Sequence, residues 1–253
     1  MRELDIAGFI PKSVVDWRGK VSSVVFVPGC NFACDYCFSH QLISKPDSLP
    51  KIHVSTVLDS LSNRQNNIKA VVISGGEPTL HGHRLIRFLE EVQARGLLTR
   101  IETNGSNPFM IRFLIENELL DSVVLDVKAP LYSKRYAETV NKTAVLSKVK
   151  RSMYLVMDSG IDYEFRTVVI PGKTSLRDIQ SIARSIRGAK RFVLQQFVPF
   201  SGTLNPKFES ISATSYDQLI EFAQKVIGIQ EVRIKTEKGE ETINQLSRIH
   251  QPR

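Results

Sequence analysis

Val24-Val25-Phe26-Val27-Pro28-Gly29-Cys30-Asn31-Phe32-Ala33-Cys34-Asp35-Tyr36-Cys37 is the stretch on which the reading of this chain turns. Its first four residues are an apolar, β-prone run that reads as a strand. The loop that follows holds every cysteine of the protein, at C-x3-C-x2-C spacing. Thiolates are soft ligands that favour iron–sulfur clusters, zinc or copper(I). Three on one loop can hold three corners of a 4Fe–4S cube and leave the fourth iron open to a substrate. A cluster that only carries electrons usually has four cysteines, so the missing fourth is informative. The competing reading is structural zinc, with His40 completing C-x3-C-x2-C-x2-H. Disulfides fit poorly, because the count is odd, the loop is tight and 253 residues can build a core without staples.

Outward from this loop, apolar strand-like runs recur at even spacing. They are Val21–Val27, Ala70–Ser74, Leu98–Glu102, Ser122–Val127, Glu164–Ile170, Phe192–Phe197 and Glu231–Ile234. Helical patterns fall between them: Thr56–Asn63 with Ser55 as its cap, His83–Arg95 closed by Gly96, Pro108–Glu118, Val145–Met157, Ser175–Arg187 and Ser215–Ile227. Alternating strand and helix predicts parallel strands joined by right-handed crossovers. Continuously apolar strands fit a sheet buried on both faces. Periodicity alone leaves a partial barrel and a Rossmann-type open sheet both available. Gln41–Lys51 reads as an exposed loop. Residues 1–236 read as one domain, and 237–253 as a charged tail, a surface helix or a frayed end.

The 42% hydrophobic content suits a globular protein, and no apolar run approaches the ~18 residues of a membrane span. The charged start Met1-Arg2-Glu3-Leu4-Asp5 lacks the apolar core of a secretory signal. Exposed thiolates suit a reducing, cytoplasmic location. The net charge of +8 is compatible with anionic partners. The bases are spread without a block, which favours an ordinary solvated surface over nucleic-acid binding.

Polar motifs follow the strands. Ser74-Gly75-Gly76-Glu77-Pro78 follows the second, and paired glycines permit close backbone approach and positive φ. Glu102-Thr103-Asn104-Gly105 follows the third, where Asn-Gly by itself means a turn. Asp126-Val127-Lys128 ends the fourth, with alternation placing Asp126 and Lys128 on one side, able to pair. Arg166 lies inside an apolar strand and needs a buried anion, either a strand-end acid such as Asp126 or a bound carboxylate. In barrel folds chemistry sits at the C-terminal ends of strands.

With these motifs in order, the cysteine loop resembles that of the radical S-adenosylmethionine superfamily. Ile6–Lys20, Val25–Cys37 and Val193–Phe208 further resemble the activating proteins of anaerobic ribonucleoside-triphosphate reductase. Those are glycyl-radical activases related to the pyruvate formate-lyase activating enzyme. The resemblance implies an α/β single domain, a partial (β/α)6 barrel of the radical SAM type. It implies a 4Fe–4S cluster on Cys30, Cys34 and Cys37, and S-adenosylmethionine at the open iron. An electron, from reduced flavodoxin or ferredoxin, then cleaves the cofactor to a 5′-deoxyadenosyl radical. That radical makes a glycyl radical on a partner, here an anaerobic ribonucleotide reductase.

The implied cofactor contacts are Tyr36 near the adenine, Gly75, Gly76 and Glu77 at the methionine ammonium, and Thr103 and Asn104 lining the site. Asp126, Lys128 and Arg166 are implied at the methionine moiety. A monovalent cation near Glu102, Thr103 and Asp126 is a further expectation. Phe38-Ser39 stands where relatives often have His-Asn, and Ser201 falls where the pyruvate formate-lyase type carries a histidine. The alternatives are a radical enzyme acting on a small molecule, such as a 7-carboxy-7-deazaguanine synthase, or on RNA, and a non-enzymatic zinc or Fe–S binding module.

Overall fold

The computed structural model describes residues 3–243 apart from Arg64, Asn66, Phe200 and Ser201. Ser201, noted above, therefore lies outside the described residues. The strands are β1 (Gly8–Ser13), β2 (Ser22–Val27), β3 (Ala70–Gly75), β4 (Leu98–Thr103), β5 (Ser122–Asp126), β6 (Asp162–Val169), β7 (Arg191–Gln196), β8 (Glu231–Thr236) and β9 (Gly239–Thr242). The helices are α1 (Gln41–Ser44), α2 (Val54–Ser62), α3 (His83–Gln93), α4 (Pro108–Glu116), α5 (Ser133–Val140), α6 (Leu146–Asp158), α7 (Leu176–Ser185) and α8 (Tyr216–Gln224).

Among the described residues the strands form one sheet in plain sequence order, β1 to β9. β2 through β8 are parallel, and β1 and β9 run antiparallel at the two edges. An order that never reverses has no topological switch point, which excludes the Rossmann alternative. The sheet must also curve. Phe26, Ser74, Glu102, Asp126, Arg166, Gln195 and Lys235, one residue from each parallel strand, line a single cavity. A flat sheet cannot bring seven successive strands round one space. The architecture is a partial (β/α)6 barrel, open along the seam between β1 and β9. Arg18, in the β1–β2 connection, bridges that seam at the N-terminal ends of the strands by donating to Thr242 Oγ1 at 2.9 Å.

The convex face carries the main core. Strand residues such as Val71, Ile73, Val123 and Leu125 meet helix residues spaced to fall on one face, as in α3 with Leu85, Phe88, Leu89 and Val92. The concave face is different in kind. Trp17, Val24, Ala70 and Val72 form a small apolar floor, and above it the side chains are charged. Arg100, only 4% exposed, stacks on the Trp17 ring at 4.4 Å and lies 3.9 Å from both Asp162 and Glu164.

The structure departs from the sequence reading at weakly patterned places. β1 and β9 are additional strands, and β9 lies inside the stretch 237–253 read as a tail. Its sequence GEET has no apolar residue, so only pairing with β8 defines it. α5 was also unmarked, since its fully buried apolar anchors are just Tyr136 and Val140. The loop read at Gln41–Lys51 contains α1 and a 3-10 turn over Pro46–Ser48. α2 begins at Val54 with His53 at its cap, so Ser55 sits inside the helix.

The concave charges generate one stability prediction. Stranding one member of a buried ion pair costs about 3–5 kcal/mol, whereas replacing both is often neutral. Arg100→Met should therefore lower the urea midpoint by the equivalent of about 3 kcal/mol, because Arg191 remains 3.8 Å from Glu164. Arg100→Met with Glu164→Leu should recover most of the loss. Equal destabilisation in the single and double variants would contradict the pairing.

Candidate active site

The loop after β2 is clamped from several directions. Gly29 N–H donates to the Leu42 carbonyl at 2.7 Å, and Ala33 N–H to Val140 at the end of α5 at 3.0 Å. Leu204 and Asn205 donate their N–H groups to the carbonyls of Cys37 and Asp35 at 3.1 and 2.9 Å. Asn141 Nδ2 donates to the Ala33 carbonyl at 2.8 Å and to Asp35 Oδ1 at 2.9 Å. Asn31 Nδ2 donates to Ser106 Oγ at 2.8 Å, and Asn31 Oδ1 accepts from Asn104 Nδ2 at 2.9 Å. Asn104 Nδ2 also lies 3.7 Å from Cys30 Sγ. The loop is thus held by protein alone.

Cys30, Cys34 and Cys37 all face the cavity, which has a volume of about 320 Å3. Burial raises the affinity of each thiol for its proton, pushing Cys34 up to about 12. No three His, Cys, Asp or Glu side chains among the described residues are gathered closely enough to hold a single metal ion. Three soft donors spread round a common space fit an extended iron–sulfur cluster rather than one zinc, and the positive irons would strip their protons. His40 is instead beside Gly202, away from the thiols' common cavity.

The glycine pair serves the chain before it serves a ligand. A Cβ on Gly76 would lie 1.8 Å from the Gly29 carbonyl oxygen, and one on Gly75, at φ +113°, 2.5 Å from Val27 N. Gly76 N–H donates to the Val27 carbonyl and Glu77 N–H to that of Gly29, both at 2.8 Å. The close approach expected of these glycines is therefore to the end of β2. Their other side still lines the cavity.

Glu77 is placed apart from the other expected contacts. Its side chain is fully buried, does not line the cavity, and accepts from Thr79 N–H (3.1 Å), Thr79 Oγ1 (2.6 Å), Thr103 Oγ1 (2.7 Å) and Asn104 N–H (2.7 Å). Three of these donors reach Oε1 and one, the Asn104 N–H, reaches Oε2. Burial raises its proton affinity, and these four donors oppose that. Glu77 is a staple joining the turn after β3 to the turn after β4.

Tyr36, Thr103, Asn104, Asp126, Lys128 and Arg166 do line the cavity with the cysteines. Arg166 donates to Asp126 Oδ1 and Glu102 Oε1, each at 2.9 Å, and Lys128 Nζ to Asp126 Oδ2 at 2.7 Å. Burial would raise both acids, but Arg166 pulls Glu102 far below the ordinary carboxylate range, and Arg166 with Lys128 lowers Asp126. Ser74 Oγ donates to the second oxygen of Glu102 at 2.8 Å. The positive charge that a monovalent cation would bring to Glu102 and Asp126 is already supplied by guanidinium and ammonium, and Thr103 gives its hydroxyl proton to Glu77. Sequence reasoning overlooked Asn31, Asn141, Gln195 and Lys235. For Lys235 the available signal was the charged alternation Glu231, Arg233, Lys235.

A partial parallel barrel with three thiols and a charged cluster at its mouth defines a class of metallocofactor enzyme fold. The chain belongs to the radical SAM superfamily, whose model matches residues 24–186. Membership implies a 4Fe–4S cluster and S-adenosylmethionine. Over 198 residues the chain is 30% identical to a putative glycyl-radical enzyme activating enzyme of Methanocaldococcus jannaschii, covering 77% of this chain and 80% of that protein. It is 24% identical over 235 residues to the pyruvate formate-lyase 2-activating enzyme of Escherichia coli, covering 80% and 79%. The crystal structure of Streptococcus suis SuiB shares the fold, with a TM-score of 0.61 at 17% identity, over 83% of this chain and 47% of that one.

Two substitutions test the local argument. Glu77→Ala leaves the buried Thr79 and Asn104 N–H groups unpaired, at about 1–3 kcal/mol each. It should lower the thermal midpoint of the cluster-free protein, a loss that a cofactor contact would not produce. Gly76→Ala should leave little folded protein, since its neighbour is backbone and cannot rotate away. Wild-type melting of both variants would refute the staple.

Proposed function

We propose that this protein reductively cleaves S-adenosylmethionine and generates a glycyl radical on a partner enzyme of the anaerobic ribonucleoside-triphosphate reductase type. The observation that carries the reading is that three thiols and the Asp126–Lys128–Arg166 group face one cavity at the strand ends. The activating-enzyme names of its relatives support it. Cys30, Cys34 and Cys37 would hold the cluster. When bound, the cluster and S-adenosylmethionine supply one-electron reduction and hydrogen-atom abstraction from carbon.

The remaining contributions come from the chain. Lys128 and Arg166 offer cationic donors to the carboxylate of the methionine end, and Asp126 an acceptor to its ammonium. Because each of these side chains is already oriented by its neighbours, little reorganisation is needed on binding. The backbone of Gly75 and Gly76, with Thr103 and Asn104, forms the wall beside them. Tyr36, Phe197 and Val198 supply apolar surface that excludes water from the same space. No helix among the described residues is long and apolar enough to cross a membrane. We place the protein in a reducing, cytoplasmic compartment with reduced flavodoxin or ferredoxin as donor. Glycine suits as a target because its α-radical is stabilised by the flanking amide nitrogen and carbonyl.

The test is anaerobic reconstitution followed by incubation with reductant, S-adenosylmethionine and a candidate reductase. A glycyl doublet by EPR with one 5′-deoxyadenosine per radical is expected. Any one of Cys30→Ala, Cys34→Ala or Cys37→Ala should abolish both. Protein carrying one zinc and no labile sulfide would overturn the cluster. Normal cofactor cleavage without a protein radical, but with turnover of a carboxylated pterin, would move the assignment to a small-molecule enzyme.

A further inference from the structure

The concave face holds several cations, and almost all are matched. Arg100 lies between Asp162 and Glu164, Lys128 on Asp126, Arg166 between Glu102 and Asp126, Arg191 on Asp162, and Arg233 between Glu231 and Glu240. Lys235 lines the same cavity and has no side-chain hydrogen bond or ion pair among the described residues. Its field reaches Glu102, yet that carboxylate is already taken by Arg166 and Ser74. Gln195 is its register neighbour on β7, so the two side chains stand side by side on one face. Gln195 also lines the cavity, and its amide has no partner among the described residues. The adjacent Gln196 also lines the cavity, but its amide is engaged by the Thr214 carbonyl and the Glu237 N–H. Unmatched donors and acceptors therefore concentrate on β7 and β8, several strands round from the cysteine loop.

We propose that Gln195 and Lys235 form the substrate-anchoring wall, in which the Gln195 amide grips a main-chain peptide unit and Lys235 a carboxylate flanking the target glycine. This rests on the proposed protein substrate and names what that substrate must present. A primary amide carries a donor and an acceptor in one plane, which complements the N–H and C=O of a peptide. An ammonium on a walled, partly desolvated face favours an anion over a neutral acceptor, because charge-assisted hydrogen bonds are the stronger ones. Both residues line the same cavity as the Asp126–Lys128–Arg166 group, from β7 and β8, and the proposal leaves that group for the cofactor.

The experiment is calorimetric titration of the reconstituted protein, with S-adenosylmethionine present and oxygen excluded. The probes are two nine-residue peptides with a central glycine, one with a flanking Glu and the other with Gln in its place. Wild type should bind the Glu peptide about tenfold more tightly, the size of one charge-assisted hydrogen bond. Lys235→Met should erase that preference. Gln195→Leu should weaken both peptides about equally and leave the preference. Cofactor affinity should be unchanged in both variants.

The inference is overturned if wild type binds neither peptide or does not distinguish them, or if Lys235→Met keeps the preference. It is also overturned if Lys235→Met loses cofactor affinity, which would place the lysine in the cofactor site. A glycyl radical formed normally on the partner alongside any of these results rejects the anchor alone. Binding of a carboxylated pterin in place of both peptides rejects the anchor together with the protein substrate.

Discussion

The Glu77 carboxylate is the interaction on which the site depends. It is fully buried with no cation bonded to it, and is kept there by four donors from two different turns. Its own N–H meanwhile holds the Gly29 carbonyl. One residue thus fixes the ends of β2, β3 and β4 relative to one another. The cysteine loop leaves the first, the paired glycines the second and Thr103-Asn104 the third. A site assembled from separate strand ends is only as well defined as the bonds between them. Here those bonds converge on one buried carboxylate.

The concave face follows a second logic. A buried charge costs several kcal/mol unless paired and hydrogen-bonded. Near the N-terminal ends of the strands Arg100 and Arg191 each share Asp162 and Glu164 over the Trp17 floor. Toward the mouth the pairs share partners, with Arg166 divided between Glu102 and Asp126 and Asp126 divided between Arg166 and Lys128. At β8 the series ends in Lys235, with no acid within pairing distance among the described residues. The face grades from structural to receptive along the barrel axis.

Most of the barrel was legible in the sequence because its seven parallel strands are short apolar runs and its longer helices keep a clear apolar stripe. What escaped lacked an intrinsic pattern. β9 is all polar or glycine and exists through β8. α5 is defined by where Tyr136 and Val140 are buried. The cavity-lining set of cysteines, Thr103, Asn104, Asp126, Lys128 and Arg166 was readable from strand-end placement. The direction of the Glu77 side chain was not legible, for a physical reason. A motif reveals that an acid is present at a strand end, but which way its carboxylate points depends on the Thr79 and Thr103 hydroxyls and the Asn104 amide. Gln195 and Lys235 were missed because neither is unusual alone, and only the register of β7 against β8 makes them a pair.

The relation between metal and fold separates an enzyme from a metal-stapled module. In a zinc finger the binding energy of the metal is the folding energy, and the chain without it is unstructured. Here the apolar core lies between the convex face and the helices, with Cys34 buried in it and Cys30 and Cys37 packed against it. The cysteine loop is fastened to α5, to the turn after β4 and to the segment at Leu204-Asn205 by hydrogen bonds that need no metal. Burial instead raises the thiols above their ordinary proton affinity. Loading a cluster must displace those protons, so the geometry is prepared in advance while the charge is created only when the cofactor arrives. That division, a scaffold stable by itself and a donor set activated by its ligand, is what a catalytic centre requires and a structural one does not.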